Sequence, residues 1–193
     1  LTKKQNINVS GLELNVDGEV AGQAENNGST LELSMGGQKI MQNVCIICHR
    51  NNEAVPPNFM GSLSQNISDY DQCRRIEQCA PRMIYRLKMR NCEQTEFQKK
   101  KNPMPPEFYL KNSKLTSADW MKTHNPKILQ FLNSLVSEAE LSQELSTHGL
   151  PSADAQKAAA DILKSNCPVS NSVIYDQLPK CEFNQLKPMT RCH

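Results

Sequence analysis

Five consecutive residues, Cys45-Ile46-Ile47-Cys48-His49, constrain this 193-residue chain more than any other feature. Thiols three positions apart lie on one face of a helix, where both can add to the two vinyl groups of a single haem. His49 follows at once and is then placed below the iron as proximal ligand. The same run also suits a disulfide or zinc pair with an incidental histidine, or a thioredoxin-like dithiol. A thioredoxin-like site wants a strand before the motif. Here Gly37, Ile40, Met41, Val44 and Cys48 recur at helical spacing instead.

A second signal lies downstream in Asn102-Pro103-Met104-Pro105-Pro106. Proline fixes φ and cannot continue a helix, so this loop can present one side chain in a fixed direction. A thioether is a soft, weak ligand that suits the second axial position of a low-spin electron-transfer haem. Met104 is therefore the expected partner of His49, with His124 the alternative. Met60, Met83, Met89 and Met121 read as helix or core residues.

Eight cysteines point to an oxidising compartment, as does covalent haem attachment. Beyond the haem motif, Cys73, Cys79, Cys92, Cys167, Cys181 and Cys192 suffice for three disulfides in any of 15 connectivities. The expected location is periplasmic, extracellular or at the cell surface. An apolar fraction of 38% and a mean hydropathy of −0.59 describe a soluble chain, and no apolar run approaches the roughly 20 residues of a membrane span. With no initiator methionine and no signal-peptide core, the chain reads as a processed form or a fragment.

Charge is uneven. From Cys73 to Lys114 there are eleven Lys and Arg against four Asp and Glu, a balance of +7 within a chain of +2. This stretch is either a solvated face or a basic rim that steers an acidic redox partner. It lacks interleaved aromatics, which argues against nucleic acid.

Three segments are expected: an N-terminal arm or linker over 1–33, a main domain over 34–136 and a helical, cysteine-containing extension over 137–193. Alternating Ile7, Val9, Leu12, Leu14 and Val16 suggest a strand or hairpin in the arm. A helix is expected from Ser34 or the Gly36-Gly37 break into the haem motif, and another from Asp71 to Asn91, kinked or restarted at Pro81. Its apolar face is Ile76, Met83, Ile84 and Leu87. Thr116 and Asp119 form a capping box, and Asn125-Pro126 caps and opens a helix with the stripe Ile128, Phe131, Leu132, Leu135. Helices over 137–147 and 152–165 follow, and the chain from Cys167 reads as a loop-like, disulfide-stapled cap.

Taken together, these residues resemble a class I (monohaem) cytochrome c domain over Met35 to Val136. Gly37 precedes Cys45 by the spacing of that family's first helix, and Phe131-Leu132 looks like the aromatic-Leu pair of its last helix. Met41 stands where the family has an aromatic residue. Pro57, or Pro56, matches the proline whose carbonyl accepts a hydrogen bond from the proximal histidine, and Met104-Pro105 matches the Met-Pro motif. The chain departs from the family in its longer basic, cysteine-bearing segment, its arm and its cap. The resemblance implies an all-α fold around one covalent haem c, with Cys45, Cys48, His49, Met104 and Pro57 at the cofactor. It makes Arg82, Tyr85, Arg86 and Trp120 candidates for contacting the propionates or shielding the haem edge.

The expected role is electron transfer rather than catalysis. The alternatives are a cytochrome subunit of a larger oxidoreductase or surface assembly, and a haem-based sensor of small ligands. Cys181, Cys192 and His193 raise a second haem through an expanded motif, against the simpler reading of a disulfide and a terminal histidine.

Overall fold

Helix α1, Thr30–Val44, runs directly into the short helix α2, Ile46–His49, in a computed structural model that describes residues 30–50, 57–61, 67–92, 102–168, 172–184 and 191. The arm's alternating residues, Pro56, Lys99 to Lys101, Cys192 and His193 lie outside the described residues. Gly36 and Gly37 do not start α1 but sit inside it. Gly37 is needed for packing: a Cβ there would lie 2.4 Å from both the Lys127 carbonyl oxygen and Phe131 Cβ. Those residues belong to helix α6, Asn125–Ser134, so the missing side chain lets two backbones cross at close range.

Helix α3, Asp69–Lys88, is the long central element and continues as a 3-10 turn, Met89–Asn91. Ser68 caps it by accepting from the Asp71 N–H at 3.0 Å. Pro81 lies inside the helix, which runs on through it rather than restarting there. A mid-helix proline costs about 3 kcal/mol. Burial of Ile76, Cys79, Ala80 and Ile84, none with measurable exposure, offsets that cost along the same helix.

Three short helices follow the Met104 loop. Helix α4, Glu107–Asn112, follows Pro106 directly and was not expected. Helix α5, Ser117–Thr123, carries the expected Thr116/Asp119 capping box. The cap of α6 is His124 rather than Asn125, because Thr123 to Asn125 continue in near-helical conformation and Asn125 is buried as the first helical residue. The stripe of α6, Ile128, Phe131, Leu132 and Leu135, is buried as its spacing predicts.

Helices α7, Glu138–Thr147, and α8, Ser152–Lys164, pair with each other, and α8 packs on α3. Lys88 fastens this junction: its buried Nζ donates to the carbonyls of Ile162 and Leu163 at 2.7 and 2.9 Å, where the helix end is electronegative. A last helix, α9, Ser172–Gln177, replaces the loop expected there. Two disulfides, Cys92–Cys167 and Cys79–Cys181, tie the extension to α3 and the turn after it. The buried apolar cluster is continuous from Met41 to Leu178, so the extension shares the core. Among the described residues there is no strand, and no helix is long and apolar enough to cross a membrane.

Candidate functional site

The end of α1, α2, α3 and the Met104 loop enclose a cavity of about 650 Å³. Cys45, Cys48, His49, Pro57 and Met104 all line it. Residues far apart in the chain are thus brought to one place. Cys45 and Cys48 carry thiols rather than a disulfide. Burial, with the Cys48 charge adding, pushes the Cys45 thiol up to about 12, and burial also raises that of Cys48.

His49 is held on three sides. Its Nδ1 lies 2.7 Å from the Pro57 carbonyl oxygen. A carbonyl can only accept, so Nδ1 carries the proton and the lone pair of the neutral ring is on Nε2. Phe59 stacks on the imidazole at 4.2 Å between centroids. The His49 carbonyl accepts from the Met60 N–H at 3.1 Å, closing the loop that carries Pro57 and Phe59. Burial holds the ring below the usual histidine pKa. The Pro57 bond opposes this, and the Arg86 charge adds to the lowering. The ring is therefore neutral near pH 7, the state a metal ligand requires.

The Met104 loop is fastened to α3. Its N–H donates to the Arg86 carbonyl at 3.0 Å, and Arg86 Nε donates to the Asn102 carbonyl at 2.6 Å. Met60 and Met89 are buried in the core away from the cavity, and neither Met121 nor His124 lines it. His124 instead lies against Trp120, with ring centroids 5.3 Å apart. Met83 is a helix residue of α3 as expected, half-buried against the core, and it also lines the cavity.

Of the four candidates for contacting an edge group, Arg82, Arg86 and Trp120 line the cavity and Tyr85 does not. Tyr85 is fully buried against Tyr175, with centroids 5.3 Å apart. Trp120 Nε1 is buried with no acceptor among the described residues. Arg82 donates to the carbonyls of Pro179 and Leu178, both at 2.7 Å, and Arg86 donates to the Tyr175 hydroxyl at 3.3 Å. Among the described residues neither guanidinium is paired with a carboxylate. The basic stretch is thus turned inward in part, with Arg82, Arg86, Lys88 and Arg90 acting as clamps. Donation to a carbonyl leaves the positive charge in place, so the stretch keeps its long-range field.

Sequence reasoning missed three parts of this wall. Phe59 gave no signal beyond being aromatic near a proline pair. Tyr109 on α4 is buried at the cavity, and its pKa is raised by burial and then by the charges of Cys45 and Cys48. The Pro105-Pro106-Glu107 sequence, prolines before an acidic first turn, is a helix-start signal that could have located α4. Tyr175, Lys180 and Cys181 bring the C-terminal extension into the wall.

Among the described residues, no group of three or more His, Cys, Asp or Glu side chains converges as a metal site. No family model matches the chain, and neither a curated protein nor a solved structure matches it.

Proposed function

We propose that the chain is a one-electron carrier holding a single haem c through Cys45 and Cys48, with His49 and Met104 as axial ligands. The observation that carries this reading is the convergence of those four side chains on one apolar cavity. Its volume lies within the range of small-molecule and cofactor sites. The wall also fits an apolar group with an anionic edge. Among the described residues, Trp120 Nε1 is a buried donor with no acceptor, and Arg82 and Arg86 offer two positive charges not paired with a carboxylate.

Each residue has a definite task. Cys45 and Cys48 would hold the group covalently, their two thiols facing the same cavity. His49 offers Nε2 while Pro57 and Phe59 fix its ring. Met104 supplies a soft thioether that favours the lower charge on the metal. Met41, Leu87, Ile128 and Leu132 keep water from the cavity. When bound, the haem supplies reversible exchange of one electron between its ferric and ferrous forms.

The two disulfides support placement in an oxidising compartment, periplasmic or extracellular. The +7 balance from Cys73 to Lys114 supports a redox partner that is acidic at its docking surface.

Redox titration and carbon monoxide binding test the ligand pair. Met104→Ala leaves haem attached, lowers the reduction potential and opens the reduced protein to carbon monoxide, whereas Met83→Leu leaves both unchanged. The opposite pattern would assign the axial position to Met83, and no change in either would remove methionine from the site.

A further inference from the structure

We propose that Arg90 is the positioning residue that holds Met104 at the cavity and so keeps the second axial position filled, an inference that rests on Met104 as the second ligand. Arg90 leaves the 3-10 turn at the end of α3, and its side chain is only 3% exposed. Nε donates to the Met104 carbonyl at 3.3 Å and one terminal nitrogen donates to the Pro105 carbonyl. The other donates to Glu107 Oε1 at 2.7 Å and to Ser117 Oγ at 3.1 Å. One planar guanidinium therefore ties the Met104 loop to the first turns of α4 and α5. Lysine cannot copy this, because only arginine presents five donors in a rigid fork.

A buried guanidinium is costly to desolvate, and Glu107, its one carboxylate partner among the described residues, is largely exposed. Its other acceptors include the backbone of Met104 and of the residue after it. Methionine has three rotatable side-chain bonds and a thioether is a weak ligand, so its place at a metal depends on a fixed backbone. Arg86 also grips this loop, but it lines the cavity and its loss would change the cavity's charge. Arg90 does not line the cavity. Its influence reaches the cavity through the Met104 loop backbone and the first turns of α4 and α5, without direct contact.

The test uses the full haem-loaded chain with Arg90→Ala, Arg90→Lys and Glu107→Gln, and Met104→Ala as the reference for a lost ligand. Three readouts are needed: exchange of the Met104 amide, which donates to the Arg86 carbonyl, the weak thioether-to-ferric-iron absorption at the red end of the visible spectrum, and carbon monoxide binding to the reduced form. Arg90→Ala keeps its covalent haem and its Met104 amide exchanges about tenfold faster, because the loop loses the two guanidinium-to-carbonyl hydrogen bonds that hold its backbone. It loses most of the red absorption and binds carbon monoxide about tenfold more tightly, with Arg90→Lys intermediate. Wild-type exchange, absorption and carbon monoxide binding in Arg90→Ala would overturn the proposal. Should that variant fail to accumulate, Glu107→Gln decides: about threefold faster exchange supports the clamp, and an unchanged rate overturns it. If Met104→Ala itself leaves absorption and carbon monoxide binding untouched, the ligand assignment fails. The exchange rates then still decide whether Arg90 holds the loop.

Discussion

Gly37 of α1 and Phe131 of α6 stand so close that a methyl group on Gly37 would lie 2.4 Å from Phe131 Cβ. This crossing fixes the position of α1, which ends at Val44 immediately before Cys45. It also sets Ile128 and Leu132 of α6 against the cavity. Gly37→Ala forces one backbone away from the other and costs about 1–3 kcal/mol, as overpacking does in cores. Thermal unfolding followed by helix signal checks this: the midpoint falls, and haem incorporation falls with it.

The crossing was partly legible in the chain. Gly37, Met41 and Val44 carry a helical period into Cys45, and Ile128, Phe131, Leu132 and Leu135 carry a matching one. The Thr116/Asp119 box was legible because a cap is a local pattern of two residues. A restart at Pro81 is absent because the proline's local cost is offset by burial that only the tertiary structure reveals. Asn125 misled because the preceding turn stays near-helical and moves the cap back to His124. The cavity joins residues 45–49, 57, 104 and 175–181, and sequence spacing cannot report such distant meetings. Motif chemistry indicated the first three groups. Nothing local marked Tyr175.

Cys79 and Cys181 close a sequence separation of 102 residues and hold the extension over the cavity. Because the Cys92–Cys167 bridge already shortens the loop that Cys79–Cys181 closes, replacing Cys79 and Cys181 by serine removes about 3–4 kcal/mol of chain-entropy stabilisation. Chemical denaturation measures the loss. The cavity wall at Tyr175 and Lys180 loosens at the same time, so amide exchange over α9 accelerates beyond that over α6.

Alkaline pH separates the haem-free chain from the loaded one. In the haem-free fold the Cys45 thiol is held near 12, whereas its ordinary value is 9.0. The unfolded chain releases that proton first. The stability it contributes is therefore whole below about pH 9 and lost as pH rises towards 12. A thioether has no proton to lose, so the loaded chain lacks this component. Urea midpoints at pH 8 and pH 10.5 test it: the haem-free chain loses more on the alkaline side. At pH 8, Cys45 of the haem-free fold also alkylates about tenfold more slowly than an exposed thiol.

Covalent haem per chain is the most direct measure of the account. The chain is made with a working haem-attachment pathway and denatured in acid and organic solvent to strip non-covalent haem. The pyridine haemochrome is then read against protein concentration. The account predicts one haem per chain, lost when Cys45 and Cys48 are both changed to serine. No retained haem would contradict the cytochrome reading outright, and two would contradict the assignment of the remaining cysteines to disulfides.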